Sequence, residues 1–282
     1  MVSKAKTRTL LIDGDIWAFQ AAVGCEYTTK WTEDLWTLHA NESEAKANLR
    51  HKVNTLQEEM EADRIVFALS HPEEPNFRYD VLPSYKSNRA EQRKPIVLAP
   101  LKAYMRETWD CYQRPKLEGD DILGVLATSK RIIPGEKIVV SIDKDLATIP
   151  GKLLNLQKAN ALIEDEDSNV TTKLEAVRKI TRREADYNHM VQTLSGDATD
   201  GYKGCPKIGE KTAHKVLDGL EPHEWWPAVV QQYEKQKLGE DAALQQARVA
   251  RICRREDYDF KNNQPIYWTP ENLSTSPESK GN

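Results

Sequence analysis

Arg8-Thr-Leu-Leu-Ile-Asp13 is the stretch on which the fold turns. Its apolar run is too short for a helix and ends on a carboxylate, so it reads as a buried strand. Arg64-Ile-Val-Phe-Ala-Leu69 is a second short apolar run, and Lys137-Ile-Val-Val-Ser-Ile142, rich in β-branched residues, is a third. Residues 41–61 have helical spacing, apolar at Ala45, Leu49, Val53, Leu56 and Met60, and residues 118–130 are helical again. Strands separated by helices predict an α/β fold, a central mostly parallel sheet flanked by helices on both faces.

From residue 181 onward the strand signals fade, and short helical segments divided by Gly and Pro take over. This predicts a core over 1–185 with a boundary near Ala185, a helical module over 186–270, and a disordered Ser/Pro/Glu-biased tail over 271–282. Residues 162–172 read as a surface hairpin or loop. The chain has 282 residues, 39% of them hydrophobic, enough for a globular core. No apolar run reaches the length of a bilayer span, and the N-terminus lacks the small-residue cleavage site of a signal peptide. The four cysteines are scattered without a CxxC, which argues against a disulfide scaffold or zinc site and fits a reducing cytoplasm.

Carboxylates gather where such a sheet would bring them together. Asp13 and Asp15 end the first strand, and Asp143 and Asp145 end the strand at 137–142. Glu118, Asp120 and Asp121 start a helix, and Asp197 and Asp200 stand at the entry to the C-terminal module. In open α/β sheets ligands bind beyond the carboxyl ends of the strands. Each knot alone could be a helix cap, since an acid before a helix accepts its free amides. Together they would repel one another unless cations intervened, and oxygen donors without His or Cys select Mg²⁺ or Mn²⁺. Glu164-Asp-Glu-Asp167 follows no strand and reads as a solvated face.

The net charge of −4 hides a segregation: bases cluster at Lys86, Arg89, Arg93 and Lys94, at Lys102 and Arg106, at 178–183, and at Lys203, Lys207, Lys211 and Lys215. Tyr85-Lys-Ser-Asn-Arg89 offers a Lys point charge and an Arg fork for a phosphodiester, with Tyr85 as a stacking face for an unpaired base. Gly201-Tyr-Lys-Gly-Cys-Pro-Lys-Ile-Gly-Glu-Lys-Thr-Ala213 reads as a tight turn opening a helix at Gly209. The free amides there, with Lys211 and Lys215 four apart, would grip phosphates without reading bases. Alone, each of these is equally a solvated basic surface. Without a Walker lysine loop, an NTPase is disfavoured.

These motifs resemble the 5′-nuclease superfamily: flap endonucleases, the 5′-nuclease domain of bacterial DNA polymerase I, and standalone phage 5′→3′ exonucleases. Leu-Ile-Asp-Gly-Asp15 is similar to the first metal motif at Asp13, and Tyr85, Lys86 and Arg89 to the Tyr-Lys-x-x-Arg signature. Glu118, Asp120 and Asp121 fit the Glu-Ala-Asp-Asp element with Gly119 replacing Ala. Asp143 with Asp145, and Asp197 with Asp200, fit the last acid pairs, the latter running into a helix–three-turn–helix motif. One acid is missing: the second strand ends at Ser70-His71, where members carry an aspartate before Phe77-Arg78.

The resemblance implies a PIN-like 5′-nuclease core, a helical arch over 76–106 admitting a free 5′ end, and a structure-specific DNA 5′-nuclease, exonuclease or flap endonuclease. Two Mg²⁺ ions, replaceable by Mn²⁺, would lie on Asp13, Glu118, Asp120 and Asp121 and on Asp143, Asp145, Asp197 and Asp200, with Asp15 an additional acid and a K⁺ at the helix–three-turn–helix motif. Lys86 and Arg89 would act on the scissile phosphate, and Tyr85 would stack on a nucleotide unpaired near the 5′ end. Arg78, Arg93, Lys94, Lys203, Gly204, Lys207, Gly209, Lys211, Thr212 and Lys215 would contact DNA, and a replicative polymerase is a further expected partner. Products would carry 5′-phosphate and 3′-hydroxyl ends. The rival readings are a PIN-like ribonuclease and a non-catalytic DNA-junction binder.

Overall fold

The structure, a computed structural model, describes residues 7–89 and 91–274. In chain order the elements are β1 (Arg8–Asp13), α1 (Gly14–Gly24), β2 (Glu26–Lys30), β3 (Trp36–Ala40), α2 (Glu42–Glu59), β4 (Arg64–Ala68), α3 (Arg78–Val81), α4 (Leu98–Thr108), β5 (Asp110–Tyr112) and α5 (Gly119–Thr128). They continue with β6 (Glu136–Ser141), β7 (Gly151–Asn155), α6 (Leu156–Glu164), β8 (Arg178–Ile180), α7 (Arg182–Ser195), α8 (Glu210–Leu217), α9 (Pro222–Lys235), α10 (Glu240–Ala250), β9 (Tyr258–Asp259), β10 (Gln264–Pro265) and α11 (Glu271–Ser274).

Six strands form one sheet in the order β5-β4-β1-β6-β7-β8, parallel except for β8, which pairs antiparallel with β7. The alternation of strand side chains explains why β1 is apolar without a break. Leu10 and Ile12 join the core under α1, α2 and α4, whereas Leu11 joins the opposite core under α5. Both faces of the strand are therefore covered, and its run has no polar side to show.

Helix α2 starts where its cap stands: the Asn41 side chain accepts from the Glu44 amide, and Ala45, Leu49, Val53 and Leu56 form the buried stripe. A third apolar cluster, built on Met190, Leu194, Trp225, Trp226, Val229 and Trp268, holds α7 to α10 together.

The chain is less divided than its composition implies. The expected boundary near Ala185 falls inside α7, and Ala185 is buried in the sheet's own core. After α10 the chain returns beneath α5, placing Ile252, Cys253 and Tyr258 in that same core. The approach is so close that a Cβ on Gly124 would lie 2.2 Å from the Cys253 carbonyl oxygen. Buried ion pairs fasten the return, Arg254 to Asp186 at 2.7 Å and Arg251 to Asp257 at 2.8 Å. Contacts so remote in sequence leave no local signal.

Three smaller expectations also change. Residues 162–164 finish helix α6 instead of starting a loop. Residues 271–274 of the expected disordered tail form α11, with Leu273 buried on the third cluster, and 275–282 lie outside the described residues. The 76–106 segment holds α3, a 3-10 turn at Ser87–Arg89 and the first part of α4, whose Leu101 and Met105 are buried in the core. The far end of the segment expected as a helical arch is thus packed on the core. Sequence reading also missed the β2–β3 hairpin, whose Glu26 pairs with Arg93 at 2.6 Å.

Candidate active site

The carboxyl ends of β1 and β6 and the start of α5 open into one cavity of about 450 Å³. Asp13, Asp15, Glu118, Asp120, Asp143, Asp145 and Asp200 line it, together with Arg78, Lys86, Arg89 and Lys102. Sequence-distant acids do meet, because parallel strands aim their carboxyl ends the same way.

Asp13 both caps a helix and lines the cavity. Its side chain caps α1, accepting from the Ile16 amide at 3.0 Å, and also accepts from the Ser141 hydroxyl at 3.2 Å. Burial, reinforced by the charges of Asp15 and Asp143, pushes its pKa up to about 7. Asp145 is likewise raised to about 7, by burial and then by Asp143, Asp197 and Asp200. Asp120 is held well above the usual carboxylate range, by desolvation and by Asp13, Asp143 and Glu118.

Asp145 Oδ1 is buried without a hydrogen-bond partner. An orphaned carboxylate oxygen amid mutually repelling acids, with no sulfur or imidazole on the lining, suits hard divalent cations. Among the described residues no three acids are already drawn to one point at ligand spacing, so the carboxylates ring the cavity without yet closing on a centre.

Cations balance one side. Lys86 Nζ lies 2.8 Å from Glu118 and 3.6 Å from Asp200, and Arg89 pairs with Asp200 at 2.7 Å. Lys86 sits in the left-handed region at φ 52°, its amide donating to the Asp200 carbonyl at 2.9 Å. The C-terminal turn therefore fixes the basic loop against the acids. That turn depends on Gly204 at φ 63°, where a Cβ would lie 2.3 Å from the Gly196 nitrogen.

Several expected roles do not survive the geometry. Tyr85 is 1% exposed, and its hydroxyl donates to Glu118 at 3.0 Å and Asp200 at 2.8 Å, leaving no ring face for a base. Arg78 is buried in a bidentate pair with Asp121 and cannot sit on DNA. Asp121, fully buried, also accepts from the Cys253 and Glu118 amides. Arg78 holds its carboxyl below the usual range against the cost of burial, and the Asp121 side chain is turned to Arg78 and is absent from the cavity lining. Asp197 also lies off the lining, capping its own turn through the Thr199 and Asp200 amides. Gly204 is buried and serves the backbone crossing, not a ligand.

The other expected contact positions lie at the surface. Lys94, Lys203, Lys207, Lys211, Thr212 and Lys215 are exposed, as is Gly209, the N-cap of α8. Arg93 is exposed but tied to Glu26.

Lys102, which the sequence shows only as one of a cluster of bases, reaches the cavity and Asp15 at 2.6 Å. Its position next to buried Leu101 was the available signal, since a lysine flanking a buried stripe lays its stem along that stripe. The neighbourhood lacking the usual second-strand acid is occupied: Ser70 donates its amide and hydroxyl to Asp15 Oδ2, at 2.9 and 2.5 Å.

Residues 8–180 match the family model for the 5′-3′ exonuclease, N-terminal resolvase-like domain. An exodeoxyribonuclease of Enterobacteria phage T3 is 28% identical over 296 residues, covering 93% of this chain and 92% of the relative. The fold is similar to that of the T5 5′-exonuclease with bound zinc, at 13% identity and a TM-score of 0.58 over 86% of this chain and 89% of the other. It is also similar to a T5 flap endonuclease variant complexed with DNA and metal ions, at 13% identity and a TM-score of 0.56, covering 86% and 88%.

Proposed function

Because the chain belongs to the 5′-3′ exonuclease family, we propose that it hydrolyses DNA phosphodiesters at the carboxylate-lined cavity, starting from a free 5′ end, with two Mg²⁺ ions as cofactors. It is a 5′→3′ exonuclease. The observation that carries the site assignment is the meeting of Asp13, Glu118, Asp120, Asp143, Asp145 and Asp200 around one cavity with Lys86 and Arg89 beside them.

These six carboxylates would hold the ions, and Mn²⁺ suits the same oxygen donors. When bound, such ions polarise a phosphoryl oxygen and lower the pKa of an attacking water. Lys86 and Arg89, tied here to Glu118 and Asp200, would offset the charge that develops on the phosphate. The exposed face of α8, with Lys211 and Lys215, holds the duplex by its backbone irrespective of sequence.

Product sizing on a 5′-labelled flap and on a blunt duplex, with Mg²⁺ and a single-stranded RNA competitor, tests this reading. Mononucleotides or very short 5′-phosphorylated products from the duplex support it, and a single longer piece from the flap adds incision to the activity. Cleavage of the RNA in preference to both DNA substrates would overturn it.

A further inference from the structure

One side of the cavity is built by groups that the hydrolysis described above leaves without a role. Lys102 Nζ, on α4, stands 2.6 Å from Asp15 Oδ1. Asp15 Oδ2 accepts from both the amide and the hydroxyl of Ser70, and the Ser70 hydroxyl accepts from the Gly119 amide at 3.1 Å. A Cβ at residue 119 would lie 2.9 Å from Asp15 Oδ2, so glycine there leaves room for this carboxylate. Two departures from the superfamily pattern, Ser70 for an acid and Gly119 for alanine, thus surround one side chain.

Both Asp15 oxygens are committed to fixed donors, Lys102 on α4 and Ser70 in the segment after β4. That is how a carboxylate is held as a counter-ion, and it contrasts with Asp145 Oδ1, which has no partner. Lys102 spends one N–H on Asp15, and an ammonium has three. Its side chain is 27% exposed, on the lining of the cavity. The spare donors are available to an oxygen entering the cavity from solvent.

Resting on the reading that DNA is cut in this cavity, we propose that Lys102 is a further phosphate-binding residue, separate from Lys86 and Arg89, and that Asp15 positions it and is not a metal ligand. The ligand is the sugar–phosphate backbone of the strand being cut, contacted at a phosphate next to the scissile one.

The test is equilibrium binding of the full chain to a duplex with a single-stranded 5′ arm, across a salt series, with Ca²⁺ replacing Mg²⁺ to suppress turnover. Lys102→Met should weaken binding and lower the salt slope by about one unit, the signature of one lost phosphate contact, whereas Lys102→Arg should keep the slope. An unchanged slope in Lys102→Met overturns the proposal. If Lys102 merely neutralises Asp15, the double variant Lys102→Met with Asp15→Asn recovers wild-type affinity, and that recovery also overturns it. Calorimetric Mn²⁺ titration covers the second half: Asp15→Asn should keep wild-type stoichiometry and affinity where Asp143→Asn loses them, and equal loss in both refutes the positioning role. Lys211→Ala with Lys215→Ala separates the two readings. A slope unchanged in that variant too removes the DNA reading itself and this proposal with it, whereas a slope unchanged in Lys102→Met alone removes only the proposal.

Discussion

Arg78 grips Asp121 through two parallel hydrogen bonds, 2.7 and 2.9 Å long, with Asp121 fully buried and Arg78 nearly so. The guanidinium also donates to the Val249 and Arg251 carbonyls, so it joins α3 and α5 to the end of α10. Two residues that motif reading places on DNA and on metal are in fact each other's partner.

Replacing Arg78 by Met would leave the Asp121 charge buried and uncompensated. Breaking a buried pair on one side costs about 3–5 kcal/mol. Urea denaturation should therefore show a large loss of stability. A variant of wild-type stability with weakened DNA affinity would restore Arg78 to the binding surface.

Tyr85→Phe removes a buried hydroxyl that serves Glu118 and Asp200. Hydrogen bonds to charged groups contribute about 1.5–3 kcal/mol, so stability should fall by that order while the aromatic ring stays in place. If Tyr85 stacked on a base instead, Phe would preserve stability and binding alike. Denaturation midpoints together with DNA titration distinguish the two.

Asp143→Asn combined with Asp145→Asn should lower kcat by more than about 100-fold, because even an outer partner of a metal ligand is worth 10–100-fold. Binding to duplex DNA should persist, since α8 and its lysines are untouched. Single-turnover rates and equilibrium titration on the same preparation provide the check, and retained turnover would falsify the metal assignment.

Asp13 and Asp145 titrate near 7 in the folded chain, against an ordinary value of 3.8. Above about pH 4 the unfolded state loses these protons first, so it is favoured as pH rises, and the penalty levels off once pH passes about 7. Metal-free protein should thus melt at lower temperature at pH 8 than at pH 5, and Asp145→Asn should shrink that difference. Mg²⁺ should raise the melting temperature more at pH 8, where the ligands are already ionised. A metal-free melting temperature no lower at pH 8, with no effect of Asp145→Asn, would contradict the buried-acid account.

Lys211→Ala with Lys215→Ala should lower the salt slope of duplex binding by about two units and weaken unrelated sequences equally. Fluorescence anisotropy on several duplexes measures this, and a loss confined to some of them would mean base reading at α8.

The sequence by itself determined the strands at 8–13, 64–69 and 137–142 and the helices at 41–61 and 118–130, within a residue or two at most ends. It did so because burial on both faces makes a strand uniformly apolar, and burial on one face spaces a helix at three to four residues. It also located the acids that ring the cavity, since chain reversal at a parallel strand's end puts its last polar residue at the ligand crevice.

Tertiary structure alone decided which of those charges face the cavity and which satisfy each other. Asp120 and Asp121 are chain neighbours in the first turn of α5, yet one turns to the cavity and the other to Arg78. Tyr85 and Lys86 both reach Glu118 and Asp200, yet the tyrosine is 1% exposed and the lysine side chain 16%. Nothing in residue type separates these neighbours. About 100° of rotation along a helix, and partners more than 100 residues away such as Val249, Asp200 and Cys253, set their surroundings, and the surroundings set their chemistry.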